Sequence, residues 1–327
     1  MTGLGNHSEY GVLREVVVGS AANLHLPPYG NDLLHYPGPL RDALLANGSG
    51  ALDAARHFPD LHGETVRQID AIAATFAAHG VRVHRPRTYH AEETCYLDSL
   101  QPGWSQLYPA DPVFMLGEHF LELSLRRAYR RKEVFPLREL VAPMLAGQDG
   151  LRHVAMPQSA PFSPSGEGPG PFLEGGDILI VGRDVIVGQG QLCSDRAGLD
   201  WLSAYLADWN YTVHPLAIRG PILHALGLIC LLREGLAMAH LPALADGLPA
   251  PIADWDVIEI SEEEMHGHAT VGVSLDDKRY MIDPRFTRLM GELEKRGIEP
   301  VPTPCDAIGF WGGAIRCVTL PLARDPA

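Results

Sequence analysis

The chain has 327 residues, 46% hydrophobic and 20% charged, the proportions of a globular enzyme. Its formal net charge of −14 argues against nucleic acid or an anionic membrane as the main partner, because both are polyanions. Five cysteines (Cys95, Cys193, Cys230, Cys305, Cys317) form no CxxC pair, the first residues carry no basic-then-apolar signal, and no apolar run approaches the ~18 residues of a membrane span. Free thiols, a cytosolic location and no membrane contact are the expectation.

The length suits two domains or one large closed architecture. Residues 11 to 27 read as a strand (Leu13 to Gly19), a turn and a second short strand. Residues 28 to 62, rich in Pro and Gly, read as a long surface loop with a short helix from Leu40 to Ala46. An amphipathic helix from Glu64 to His79 follows, stops at Gly80 and leads to the strand Val81 to His84. The same order then recurs. Hairpins are expected at Asp111–Glu122, Asp177–Gly188, Leu228–Met238 and Val271–Ile282. Helices are expected near Phe135–Leu145, Arg196–Asp208 and Phe286–Arg296, each followed by a short strand, while a Pro-rich stretch replaces the helix of the fourth unit. A single apolar hairpin cannot bury itself, so five such units should stack, and closure into a ring removes exposed sheet edges. The alternative is an ordinary α/β sandwich. The segment Ser163 to Pro171 is too Pro-rich for a phosphate loop and reads as a flexible active-site loop.

Three stretches could carry chemistry. Cys317 follows Gly312-Gly313-Ala314-Ile315-Arg316, at a loop-to-strand junction where free N–H groups and a cation would favour a thiolate; the alternative is a buried inert thiol. Phe172-Leu173-Glu174-Gly175-Gly176-Asp177 runs straight into an apolar strand, so its acid needs a partner, or else Asp177 is a turn residue capping that strand. His224 sits in an apolar run that opens the fourth hairpin, as a core histidine or a catalyst. In a ring all three would meet near the centre. Weaker signals remain. His266-Gly267-His268 has the spacing of two metal ligands on a strand but no third, so no metal is expected. Arg126-Arg127 and Arg130-Arg131-Lys132 read as a solvated helix face before an anion grip.

The run Glu9 to Gly19, then Gly80 to Pro86, the Asp177 hairpin with Gly182-Arg183-Asp184, His224, Leu275 to Asp283 and Gly312 to Cys317 together resemble the glycine/inosamine amidinotransferases of the guanidino-group-modifying enzymes. The resemblance covers roughly residues 9 to 323. It implies one catalytic domain over 1–327 with the five-bladed α/β-propeller (pentein) fold, ββαβ-type units around a pseudo-fivefold axis. It implies a transferase that moves an amidino group from a small guanidino donor to an amine through a covalent Cys intermediate, with no cofactor. Cys317 matches the nucleophile, His224 the general acid/base and Asp177 the acid that orients it. Asp111 and Glu174 match the carboxylate side of the substrate grip, and Arg316, Met265 and His266 fall where further substrate contacts belong. Homodimers are the family habit.

Four departures concern the substrate. Leu226 stands where an Asp is usual two residues after the His, Arg316 where a His is usual before the nucleophile, and Glu264 to His268 where small polar contacts are usual. No Arg lies between Glu234 and Lys278 to hold a carboxylate. An atypical, non-arginine substrate in specialised metabolism is therefore expected. A hydrolase or deiminase of the same fold is the alternative, and a non-catalytic binding scaffold is the alternative of a different class.

Overall fold

The structure is a computed structural model that describes residues 3–30, 36–131, 133–159, 170–192 and 194–326. Most of the glycine-rich segment expected as an active-site loop, and Cys193, lie outside the described residues. Among the described residues no helix is long and apolar enough to cross a membrane.

Among the described residues the strands form six three-stranded sheets. Four have one plan: β6 (Val113–Leu116), β7 (His119–Glu122) and β8 (Arg152–Ala155); β9 (Ile178–Val181), β10 (Asp184–Gln189) and β11 (Thr212–Ala217); β12 (Ile229–Arg233), β13 (Leu236–Ala239) and β14 (Asp256–Glu259); β15 (Val273–Asp276), β16 (Arg279–Ile282) and β17 (Glu299–Pro302). In each, two strands form an antiparallel hairpin and the third returns parallel to the second. The hairpins are buried almost throughout, which is why Val113 to Leu116 and Ile178 to Val181 read as unbroken apolar runs. Helices Val134–Ala146, Arg196–Leu206 and Thr287–Lys295 make three of the returns. Asn210, in the left-handed conformation at φ 59°, ends the helical segment before β11. In the fourth unit, prolines that cannot extend a helix leave two 3-10 turns, Leu241–Ala243 and Ala250–Ile252.

The first unit differs from the sequence expectation. β1 (Leu13–Val18) does not form a hairpin with the strand after it. Its antiparallel partner is β18 (Thr319–Arg324), the last strand of the chain, and its parallel partner is β4 (Arg82–His84). β2 (Ser20–Leu26) belongs to a separate antiparallel sheet with β3 (Leu52–Asp53) and β5 (Trp104–Gln106). Both partners of β2 lie in stretches read as loop or left unassigned. Residues 36 to 58 are also not a surface loop: Tyr36, Leu40, Leu44 and Leu52 are buried in the core under the helix Pro59–Ala78. That helix turns Thr65, Gln68, Ile69, Ile72 and Phe76 inward; Ile69, Ile72 and Phe76 belong to the apolar stripe of its periodicity, whose Val66 and Ala73 are half-buried against the same core.

Every residue of β18 is buried, and Val16, Val17 and Val18 pair with Pro321, Leu320 and Thr319. Removing residues 319 to 327 leaves one side of β1 unpaired and strips Leu320 and Leu322 from the core. Losing one buried Leu costs ~2–5 kcal/mol against a total stability of ~5–15. The truncated chain should therefore lose its cooperative thermal transition and near-ultraviolet circular dichroism; a melting temperature within ~2 °C of the full chain would refute the role of this pairing.

Candidate active site

Cys317 lies in a tight turn, two residues before β18. Val318 N donates to Ala314 O at 3.2 Å, and Thr319 Oγ1 to Ile315 O at 3.0 Å. The loop before it packs into the core despite its two glycines. Trp311, Ala314, Ile315 and Val318 are core residues. Trp311 Nε1 donates to Thr65 Oγ1 at 2.8 Å, and Gln68 Oε1 accepts from Ala307 N at 3.0 Å, so the helix Pro59–Ala78 anchors the loop. Gly313 lets the turn approach Tyr108, whose ring would stand 2.5 Å from a Cβ there.

His224 opens the 3-10 turn Ala225–Gly227, is 6% exposed, and faces two carboxylates. Its Nε2 is 2.9 Å from Glu174 Oε2; its Nδ1 is 3.9 Å from Asp111 Oδ1. Glu174 Oε1 accepts from Arg126 N at 3.0 Å. Asp111 Oδ2 accepts from Arg130 Nη1 at 2.9 Å, and Arg130 is itself held by both oxygens of Glu133. Asp111 Oδ1 has no hydrogen-bond partner among the described residues. Ligand atoms of Asp111, Glu174 and His224 lie within 4.8 Å of one another, a grouping dense enough to hold a cation. Gly176 permits this approach: a Cβ there would lie 2.6 Å from the His224 ring and 2.9 Å from Asp111 Oδ1.

Two spaces meet at this cluster. A narrow inner cavity is bordered by Asp111, Arg130 and the aromatic residues Tyr36, Tyr108, Tyr129 and Trp311. A wider outer cleft is bordered by Pro221, Ile222, Leu226, Met265, His266 and His268. Cys317, His224, Leu223 and Gly312 border both.

Burial decides the resting charges. It would push the His224 imidazole down, but Asp111, the Glu174 hydrogen bond and Asp177 outweigh it and raise the ring to about 9. Glu174, which burial alone would raise, is held at about 2 by the hydrogen bond and charge of His224 and by Arg130 and Arg127. The pair is thus an imidazolium and a carboxylate. The Cys317 thiol is pushed up to about 12, by burial first and Asp111 second, against the Ala314 backbone, Arg316 and Arg130. The thiolate expected from the neighbouring cation does not form at rest, because burial and an acid outweigh it.

The remaining expected residues fall as follows. Asp177 does not hydrogen-bond the His224 ring. Its Oδ1 accepts from Ala225 N at 2.9 Å and its Oδ2 from Ser194 N at 3.1 Å, so it fixes the backbone that carries His224. The acid on the ring is Glu174, expected only as a substrate contact. Arg316 lies away from Cys317 and borders a different interior cavity with Glu9 and Arg324; successive residues of this turn face opposite ways. Met265 and His266 do border the outer cleft, on the helix Glu262–His266 and not on a strand. His268, unforeseen as a site residue, lies beside them, pushed down to about 4 by burial and by Arg285. The expected solvated basic face is not one: Arg127 and Arg130 are 6% and 4% exposed. Arg130 was missed as a site residue, although Glu133 three positions later was a visible partner.

The imidazole's folded value of about 9 lies above its ordinary 6.5. The stability it contributes is therefore complete below about pH 6.5 and lost as pH rises through about 9. Glu174→Gln removes the hydrogen-bonded charge with little change of shape, so the His224 titration followed by NMR should move down from about 9, and stability at pH 6 should approach that at pH 10. An unmoved titration would contradict the pairing.

No family model matches the chain. It is 26% identical to inosamine-phosphate amidinotransferase 1 of Streptomyces griseus over 347 residues, 97% of this chain and 96% of that protein. The solved structure of SxtG, an amidinotransferase of Microseira wollei in the saxitoxin biosynthetic pathway, superposes with a TM-score of 0.82 at 18% identity, covering 99% of this chain and 98% of that one. A dimethylarginine dimethylaminohydrolase of Pseudomonas aeruginosa superposes with a TM-score of 0.62 at 14% identity, covering 94% and 99%. These likenesses extend over nearly the whole chain: its sequence is similar to those of amidinotransferases, and it shares the α/β fold of the amidinotransferase and dimethylaminohydrolase structures.

Proposed function

We propose that the protein is an amidinotransferase that carries the amidino group on Cys317 between a guanidino donor and an amine acceptor. The observation that carries this is the convergence of Cys317, His224 and Asp111 on one cavity, with Glu174 bonded to the far side of the His224 ring. In this reading the four hairpin sheets and the sheet of β18, β1 and β4 are the blades of one closed ring spanning the chain. The pairing of β18 with β1 supports that closure.

The unpartnered Asp111 Oδ1 takes one edge of the donor guanidinium. That positive charge cancels the Asp111 field on the sulfur and favours loss of the thiol proton to solvent through the outer cleft, leaving the His224 imidazolium its own proton for the next step. Sγ attacks the guanidino carbon, and His224 Nδ1, the nitrogen not held by Glu174, protonates the departing amine. The C–N bond breaks and a thiouronium remains on Cys317. An acceptor amine then attacks the same carbon, His224 Nδ1 takes its proton, and the C–S bond breaks to give the new guanidine. Glu174 keeps the ring oriented; Asp177, through Ala225 N, keeps the turn in place.

The outer cleft supports an atypical substrate. Pro221, Ile222, Leu226 and Val271 give it an apolar wall, and Leu226 replaces the expected second acid of the clamp. A donor or acceptor with a neutral, apolar tail fits this wall better than the charged end of an amino acid. We place the enzyme in the cytosol, with small molecules as its partners; a homodimer is the form carried over from the family.

Incubation with a panel of guanidines, read by intact mass, should give a mass increase of about 42 Da on the wild type and none on Cys317→Ala. Adding an amine should then discharge the adduct into a new guanidine. Absence of any adduct and any turnover would sink the proposal, and discharge to a urea regardless of added amine would make the enzyme a hydrolase.

A further inference from the structure

A second polar cavity lies inside the protein, apart from the one that Asp111 borders. It is a narrow space bordered by Glu9, Ser274, Tyr280, Arg316 and Arg324, together with apolar residues that include Leu179 and Leu226. Arg316 and Arg324 are 3% and 5% exposed. Arg316 Nη1 donates to Thr319 O at 3.0 Å, but its Nε and Nη2 have no hydrogen-bond partner among the described residues. Arg324 Nη1 donates to Gly11 O and Ser274 O, and its Nε has no partner among them. Glu9 Oε2 stands 3.6 Å from Arg316 Nε, too long for a hydrogen bond, and Glu9 Oε1 has no partner among the described residues.

The other polar walls are occupied. Ser274 Oγ donates to Leu232 O, and the Tyr280 hydroxyl is engaged with Thr270 O and Gly272 N. Asp276, the other acid felt by Arg324, is held by Arg279. The cavity walls therefore carry two guanidinium groups and one carboxylate, with three N–H-bearing nitrogens left over. An uncompensated buried cation is costly. Water can accept from these donors but adds no charge, whereas one monovalent anion satisfies the donors and closes the charge balance together. Burial and Arg316 hold Arg324 down at about 10 despite the pull of Glu9, as two cations in close quarters require.

We propose that this cavity is an anion site that holds one chloride-sized monovalent anion between Arg316 and Arg324. The site lies behind the nucleophile, since Arg316 is the residue before Cys317. The positive charge of Arg316 favours the thiolate, so an anion seated on it weakens that effect and makes Cys317 less reactive. The proposal does not depend on which group Cys317 transfers.

The test uses the whole protein, exchanged from chloride into gluconate at constant ionic strength. Titrating chloride or bromide back should raise the melting temperature in proportion to the logarithm of halide concentration, by about 2 °C per tenfold rise above half-saturation. Crystals in bromide should show one anomalous peak between the two guanidinium groups. Arg324→Met should abolish the halide response, and Glu9→Gln should tighten halide binding about tenfold. If Arg324→Met does not fold, the bromide peak in the wild type decides. No peak in the cavity, or equal melting temperatures in halide and gluconate, would overturn the proposal and leave a cavity filled by water alone.

Discussion

The 2.9 Å hydrogen bond between His224 and Glu174 is the interaction on which the rest of the site depends. Neither group could be charged at this depth by itself, because burial opposes both the imidazolium and the carboxylate. Together they are stable, and their pairing fixes which ring nitrogen faces the cavity. Asp111 is treated the same way: Arg130 satisfies one of its oxygens and leaves the other for a ligand. The protein thus holds its charges in pairs, each with one edge open toward Cys317 or its cavity.

The backbone exists to bring these pairs together. Asp111 precedes β6, Glu174 precedes β9, His224 precedes β12 and Cys317 precedes β18, so each functional side chain sits at the entry to a hairpin or to the closing strand. Such positions leave the strands free to pack as apolar runs while the loop ends carry the polar groups. Gly175 and Gly176 allow the Glu174 loop to lie against Ala110 O and the His224 ring, where a side chain would collide. The site is as precise as the packing behind it, from Trp311 on Thr65 to Asp177 on Ala225 N.

Much of this was legible in the sequence. Hairpin, helix and return strand recur with clear periodicity and clear stops, and Cys317, His224 and Asp177 stand out at the unit starts, while Asp111 enters only through the family resemblance. What was not legible depends on contacts distant in sequence. Nothing local in Leu13 to Val18 says that its partner lies some 300 residues away in β18. Choosing between Glu174 and Asp177 needs the direction in which each points, and three residues across two glycines do not set it. The buried Arg130 and Arg316 look like surface charges in a run of basic residues or beside a nucleophile, because side-chain burial of Arg has no sequence period. The charge state of Cys317 was read from its neighbours in sequence, whereas burial and Asp111, far away in the chain, dominate it.

At rest the Cys317 thiol is protonated and the His224 ring is charged, and in the proposed mechanism the cation of a guanidino donor completes the charge balance. The most direct test is a rapid-quench measurement with donor alone. The account predicts a burst of released donor amine equal to one per enzyme, followed by slow turnover until an acceptor amine is added, and no burst from Cys317→Ala or His224→Ala. Release of donor amine only when acceptor is present, with no burst, would show that the amidino group never rests on Cys317 and would contradict the account.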